Sequence, residues 1–259
     1  MNNASRNKPL VRDQIPTQDS VAGHDQFVLN AQSICAGYRD RPVLHDISVS
    51  VREGERVLLI GPNGCGKTTF LKVVAGVLKP DSGTVLISGC NMTAIPASQR
   101  ITQGMGYLMQ TRNIFTSLTV EENLHLGFWN GNGNFSNRRD WVVGIFPMLK
   151  ERLDSRSGLL SGGERQALAI SMVLMRPVSL LLLDEPTAGL SPSASTSILA
   201  ALHQAQEELG FTSILVEHNL RQVKPWITRV VAMNQGRIVA DHDDPEVLAD
   251  KDQLHRYYF

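Results

Sequence analysis

GPNGCGKTT, residues 61–69, decides how the rest of the chain is read. It follows the apolar run Val57-Leu58-Leu59-Ile60 and precedes Phe70-Leu71-Lys72-Val73-Val74-Ala75, an order that predicts a strand, a glycine turn and a helix. In that setting Gly-x-x-x-x-Gly-Lys-Thr is a phosphate-binding loop. Gly61, Gly64 and Gly66, with Pro62, Asn63 and Cys65 between them, let successive backbone N–H groups approach an anion. The helix starting near Lys67 adds unsatisfied N–H groups and the positive end of its dipole. Lys67 is placed to reach the β- and γ-phosphates of a nucleotide, Thr68 to ligate Mg²⁺, and Thr69 completes the run. A plain glycine turn would explain neither the lysine and threonine nor both flanks.

The 259 residues suffice for one domain, or one domain with a subdomain, around a full core. Lys+Arg and Asp+Glu both count 25, so no overall charge favours nucleic acid or an anionic membrane. Cys35, Cys65 and Cys90 show no CxxC spacing and suggest no disulfide framework; a free thiol inside the loop fits a reducing cytosol. No apolar run nears the roughly 20 residues that a membrane-spanning helix needs. The first residues lack the basic-then-apolar pattern of a secretory signal, so an intracellular, soluble chain is expected.

Residues 1–25 are polar, carry two prolines and show no sustained periodicity, the composition of a disordered leader. A strand-like segment from Phe27 leads to Tyr38, and Ile47, Val49 and Val51 alternate with polar residues as a half-buried strand does. Residues 83–89 read as another strand. From about 111 to 176 the pattern is mainly helical, broken at Asn130-Gly131-Asn132-Gly133-Asn134, with a core stripe of Trp141, Val142, Ile145, Phe146 and Leu149. A buried strand of Leu180 to Leu183 ends in Asp184-Glu185-Pro186. A helix over about 194–208 precedes the strand Ser213-Ile214-Leu215-Val216, which ends at Glu217-His218; residues 229–240 form a hairpin around Asn234-Gln235-Gly236. Strands alternating with helices predict a mainly parallel, covered sheet with an antiparallel portion near the start.

Asp184 and Glu185 end an apolar strand, where ligands of open α/β sheets collect. The first carboxylate suits Mg²⁺ and the second can orient and activate a water. Leu159-Leu160-Ser161-Gly162-Gly163-Glu164-Arg165-Gln166 opens a helix. Ser161 with Glu164 makes a capping box, which leaves the paired glycines unexplained; they keep a helix N-terminus bare for an anion. Asp241-His242-Asp243-Asp244 could suggest a metal, but Asp244 before Pro245 and Glu246 reads better as a helix start. The closing Tyr257-Tyr258-Phe259 reads as a docking element for its own domain or a partner.

Taken together, GPNGCGKTT, Gln110, LSGGERQ, LLLLDEP and the VEH of His218 resemble the ATP-binding-cassette (ABC) ATPases from about Phe27 onward. The resemblance implies an α/β P-loop NTPase of ABC ATPase type. It would have a mainly parallel sheet core, an antiparallel β portion and an inserted helical subdomain over about 111–176, within a nucleotide-binding domain spanning 26–259. It implies Mg-dependent ATP hydrolysis, with Tyr38 stacking on adenine and Gln110 linking Mg²⁺ and the attacking water to a transport partner. Glu185 is then the catalytic base and His218 the switch residue at the γ-phosphate; Thr68, Gln110 and Asp184 serve the metal. Ser161, Gly162 and Gly163 would bind the γ-phosphate held by the opposite protomer, so that two chains sandwich two ATP molecules.

The secondary motifs GYLMQ, IFPMLKER, AGLSP and VEHN are similar to those of branched-chain or hydrophobic amino-acid importers, and equally of urea and amide importers. Lipopolysaccharide-transport ATPases match less well. The implied setting is peripheral, on the cytoplasmic face of the inner membrane, with transmembrane permease subunits, a like or unlike second ATPase, and an extracytoplasmic solute-binding protein. Ser191 stands where many family members have aspartate, which affects a contact across the dimer. Non-transport cassette ATPases are the alternative; the neutral charge and lack of a basic stripe argue against nucleic acid. A module that holds ATP without turnover is disfavoured by Glu185 and His218.

Overall fold

The computed structural model describes residues 27–39, 41–111, 113–129 and 133–258. The expected leader, the tip of the Asn130–Asn134 loop and Phe259 lie outside them.

Two sheets share the fold. The first is antiparallel and four-stranded: β1 (Phe27–Tyr38), β2 (Arg41–Arg52), β4 (Ser82–Ile87) and β5 (Cys90–Asn91), in the order β2-β1-β4-β5. The second has six strands: β3 (Arg56–Ile60), β6 (Met105–Leu108), β7 (Leu180–Asp184), β8 (Thr212–Val216), β9 (Arg229–Asn234) and β10 (Arg237–His242). Its order is β10-β9-β3-β8-β7-β6; all pairings are parallel except β9 with β10.

Alternation on these strands explains their unbroken apolar sequences. On β3, Val57 and Leu59 enter one core while Leu58 and Ile60 enter another; on β7, Leu180 and Leu182 part from Leu181 and Leu183 in the same way. Both faces of these two strands are covered, so residues 57–60 and 180–183 are apolar throughout. One core holds α1 (Lys67–Val74) between the two sheets. The other packs residues of α3 (Val120–Gly127), α4 (Phe135–Ile145), α5 (Gly162–Leu174) and α6 (Pro192–Leu209).

The expected core stripe is in place: Val142, Ile145, Phe146 and Leu149 are at most 4% exposed, and Trp141 lies partly buried against them. The stretch 111–176 is less regular than its periodicity suggests, since 3₁₀ turns at Pro147–Arg152 and Ser157–Leu159 separate α4 from α5. Strand β6 was not apparent in the sequence. It is four residues long and contains Gly106, too short for alternation to register.

Two short helices complete what bears on the site: α2 (Ala97–Ile101), beside the end of α1, and α7 (Leu220–Val223), after His218. The C-terminal helix α8 (Lys251–Tyr258) docks on the chain's own fold, where Tyr257 Oη lies 2.6 Å from His242 Nε2 on β10. Asp244 caps the turn Pro245–Ala249 by accepting from the Glu246 N–H at 2.9 Å, and Asp241 pairs with Arg229 at 2.6 Å.

Candidate active site

Four adjacent parallel strands deliver the site. Along the order β3-β8-β7-β6, the C-terminal ends release the phosphate loop, Glu217-His218, Asp184-Glu185 and Met109-Gln110 on one edge of the sheet. Distant stretches of sequence therefore converge because their strands run the same way.

The phosphate loop leaves β3 at Gly61, whose φ is +142° and whose missing Cβ would lie 1.9 Å from the Met233 carbonyl oxygen on β9. Only glycine fits so close to that backbone. The loop enters α1 through Gly66 with no side-chain cap, leaving the first N–H groups of the helix available to an anion. Lys67, 6% exposed, folds over the loop and donates from Nζ to the carbonyls of Gly61 at 2.7 Å and Pro62 at 3.0 Å. Burial pushes the Cys65 thiol up, so it sits in the loop wall as a neutral packing group.

Thr68 Oγ1 donates to Asp184 Oδ1 at 3.0 Å, joining the loop to the end of β7. The other oxygen, Asp184 Oδ2, is buried without a hydrogen-bond partner, and burial raises the carboxyl's pKa. A buried acceptor with no donor is unfavourable alone and suits a cation or its bound water.

The next residue, Glu185, has φ +52°, unusual for a residue with a side chain. This turns its carboxylate toward the cleft, where Oε2 accepts from Gln110 Nε2 at 3.0 Å and Oε1 lies 3.1 Å from His218 Nε2. An ionised carboxylate only accepts, so His218 carries its proton on Nε2 in this arrangement.

Asn63, Gly64, Gly66, Lys67, Thr68, Thr69, Gln110, Glu185 and His218 line a cleft of about 450 Å³. Gly61, Cys65 and Asp184 sit behind that lining, and Pro62 is half-buried beside them. Tyr38, 42% exposed, stands outside it, beside α1, where Lys72 Nζ donates to its hydroxyl at 3.3 Å.

Ser161, Gly162 and Gly163 do not reach this cleft. Ser161 and Gly163 line a separate groove of about 490 Å³ between the starts of α5 and α6, with Met148, Ser193 and Ser197. The expected capping box is present: the Glu164 N–H donates to Ser161 Oγ at 3.3 Å, and Glu164 Oε2 accepts from the Ser161 N–H at 2.7 Å. Ser191 caps α6 in a similar way, accepting from the Ala194 N–H at 3.3 Å.

Sequence reasoning missed three supporting residues. Arg100, 1% exposed, donates to the carbonyls of Val73, Val74, Ile95 and Met92 and so closes the C-terminal end of α1. Asn123, fully buried, bonds Phe115 through both its N–H and its carbonyl and reaches Ser157 Oγ at 3.1 Å, tying the loop after Gln110 to the approach of α5. Glu217 is buried beneath His218. The first two bond mainly to backbone groups, which leave no mark in a sequence pattern.

A glycine-rich loop at a helix start, a lysine over it, a threonine–aspartate pair and a carboxylate between amide and imidazole define a P-loop nucleotide hydrolase. Comparison with known proteins narrows the class. Residues 44–188 match the ABC transporter family, and the chain belongs to it. It is 37% identical to the high-affinity branched-chain amino acid transport ATP-binding protein BraG of Pseudomonas aeruginosa, over 89% of this chain and 99% of BraG. It is 34% identical to the probable branched-chain amino acid transport ATP-binding protein LivF of Archaeoglobus fulgidus, over 85% of this chain and 94% of LivF. The lipopolysaccharide export system ATP-binding protein LptB of Escherichia coli K12 is 31% identical, over 86% of this chain and 93% of LptB. Among solved structures, the ADP conformation of MJ1267, an ATP-binding cassette of an ABC transporter, superposes with a TM-score of 0.76 at 27% identity, covering 89% of this chain and 98% of MJ1267. The chain is thus a nucleotide-binding ATPase subunit of the ABC transporter family. No helix among the described residues is long and apolar enough to cross a membrane.

Proposed function

We propose that this ATPase energises the uptake of amino acids, or of a related small polar solute, through separate transmembrane subunits, from the cytoplasmic face of the membrane. The observation that carries the hydrolytic reading is the Glu185 carboxylate, held between Gln110 and His218 on the rim of the phosphate-loop cleft. Similarity to BraG and LivF at higher identity than to LptB favours uptake of amino acids over lipid export.

In this reading the loop N–H groups and Lys67 bind the β- and γ-phosphates, and Tyr38 stacks on the adenine. Glu185 takes a proton from the attacking water, with His218 and Gln110 holding its two oxygens until the γ-phosphate draws them away. Thr68, Asp184 and Gln110 would hold Mg²⁺, whose bound form neutralises phosphate charge; the unpartnered Asp184 Oδ2 fits that role.

The separation of Ser161, Gly162 and Gly163 from the phosphate-loop cleft supports a composite site, in which they complete the cleft of a second ATPase chain. Residues 26–259 form the nucleotide-binding domain, with about 111–176 as its helical subdomain. A solute-binding protein outside the membrane completes the system.

Lys67→Ala tests the site: it removes the charge-assisted phosphate contact and is expected to abolish ATP hydrolysis by the assembled complex. Wild-type turnover would refute the assignment. Absence of this chain from membranes that contain its permease subunits would refute the transport role.

A further inference from the structure

Glu217 has no part in the reading above, yet it is a carboxylate on a residue only 4% exposed, and its hydrogen-bond partners are neutral. Burying such a charge is unfavourable unless donors replace water. Three donors do so: Oε1 accepts from the Thr187 N–H at 2.7 Å and the Thr187 hydroxyl at 2.6 Å, and Oε2 accepts from the His218 N–H at 3.1 Å. Thr187 is itself buried and follows Glu185 by two residues, while His218 follows Glu217 directly. One carboxylate therefore ties the loop that carries Glu185 to the loop that carries His218. The Glu185 N–H adds a second tie, donating to the Val216 carbonyl of β8 at 3.0 Å. Glu185 occupies a sparsely populated backbone region, which persists only where its surroundings fix it.

We infer that Glu217 is a positioning residue for hydrolysis: its buried carboxylate sets the spacing and orientation of Glu185 and His218 by clamping Thr187 to the start of the His218 loop. The inference rests on the reading of Glu185 and His218 as the hydrolytic pair. Glu217 touches neither the cleft nor the phosphate loop, so it acts on turnover and not on nucleotide binding.

The test compares the full chain, assembled with its membrane subunits, as wild type, Glu217→Gln, Thr187→Ser and Thr187→Val. Glutamine keeps one acceptor oxygen, so its NH₂ is set against the His218 N–H or, with the amide turned over, against the Thr187 N–H. The expected result is a kcat at least tenfold lower with KM for ATP within twofold of wild type. Thr187→Ser, which keeps the hydroxyl, stays near wild type, while Thr187→Val loses kcat in the same selective way. Thr187→Val leaves the carboxylate bonded to two N–H groups, so it carries the test if Glu217→Gln does not fold. Wild-type kcat in the folded Glu217→Gln and Thr187→Val variants would overturn the inference, as would equal loss in the serine and valine variants with KM rising alongside. Glu185→Gln is the control: wild-type turnover there would overturn the reading of the site itself, whereas loss there with full activity in Glu217→Gln would overturn this inference alone.

Discussion

Gly162 has no reason within its own chain to be glycine. Its φ is not positive, and an added Cβ would meet only Leu190 Cδ2, at an ordinary 3.6 Å. Gly61 is the contrast, since its Cβ would collide with β9 backbone. Gly162→Ala is therefore expected to keep or slightly raise the melting temperature, since alanine gains up to about 0.5–1 kcal/mol over glycine within a helix and less at its first residue. It should nonetheless lower ATP hydrolysis at least tenfold, because the side chain would meet the phosphate of the partner site. A variant with wild-type turnover would show that nothing approaches that glycine. Tyr38 is tested by the same kind of separation. If its ring stacks on adenine, Tyr38→Ala should weaken ATP binding by roughly 1–3 kcal/mol, and Tyr38→Phe, which loses only the bond from Lys72, should bind as wild type does. Equal affinity for the alanine variant, read by calorimetry, would return Tyr38 to a packing role. At this scale the sequence showed Lys67, Thr68, Asp184 and Glu185, because fixed spacing beside an apolar strand betrays them. It did not show what Arg100 and Glu217 do: Arg100 bonds backbone carbonyls, which leave no sequence pattern, and Glu217 meets Thr187 only through the fold, thirty residues away in sequence.

Among elements, α1 depends on what closes its two ends. Its N-terminus is left open for phosphate, and its C-terminus is held by Arg100, whose pKa burial lowers to about 10, leaving it protonated at neutral pH. Arg100→Met fills similar space without the guanidinium and leaves several buried carbonyls unsatisfied. At about 1–3 kcal/mol for each unsatisfied group, partly relieved by water, a loss of roughly 2–4 kcal/mol is expected in denaturant unfolding. A change under 1 kcal/mol would mean that α1 is held by packing alone. At the start of α5, the bond from the Ser161 N–H is the leading cause holding the Glu164 carboxyl below its usual 4.5. A lowered folded pKa stabilises fully above the unfolded value, and that contribution is lost as pH falls through the folded one. The melting-temperature difference between wild type and Glu164→Gln should therefore shrink on acidification from pH 7 to below the ordinary glutamate range; a constant difference would contradict the cap. The capping box was readable as Ser-x-x-Glu, and the buried strands as apolar runs. Strand β6 was not, since four residues with a glycine give no period.

For the whole molecule, the fold places Lys67, Gln110, Glu185 and His218 on one cleft and the start of α5 on another groove of the same chain. A second chain would have to join them, and its arrival would be governed by the γ-phosphate. Ser191 Oγ accepts the cap bond of α6 and carries no charge, so a contact from it across a dimer would lack the charge assistance that an aspartate gives. The α/β class and the early antiparallel strands were legible from the order of strands and helices; that those strands form a separate sheet was not, nor was the groove between α5 and α6, because no sequence pattern states which strands pair or which helix starts lie side by side. The measurement that tests the composite site most directly is sedimentation of Glu185→Gln with ATP, with ADP and without nucleotide. Glutamine keeps the size of the side chain but removes the base, so the variant should bind Mg-ATP, associate and stall. The account predicts dimers with ATP only, lost when Gly162→Asp sets a negative charge against the phosphate. Association that ignores the nucleotide, or survives Gly162→Asp, would contradict it.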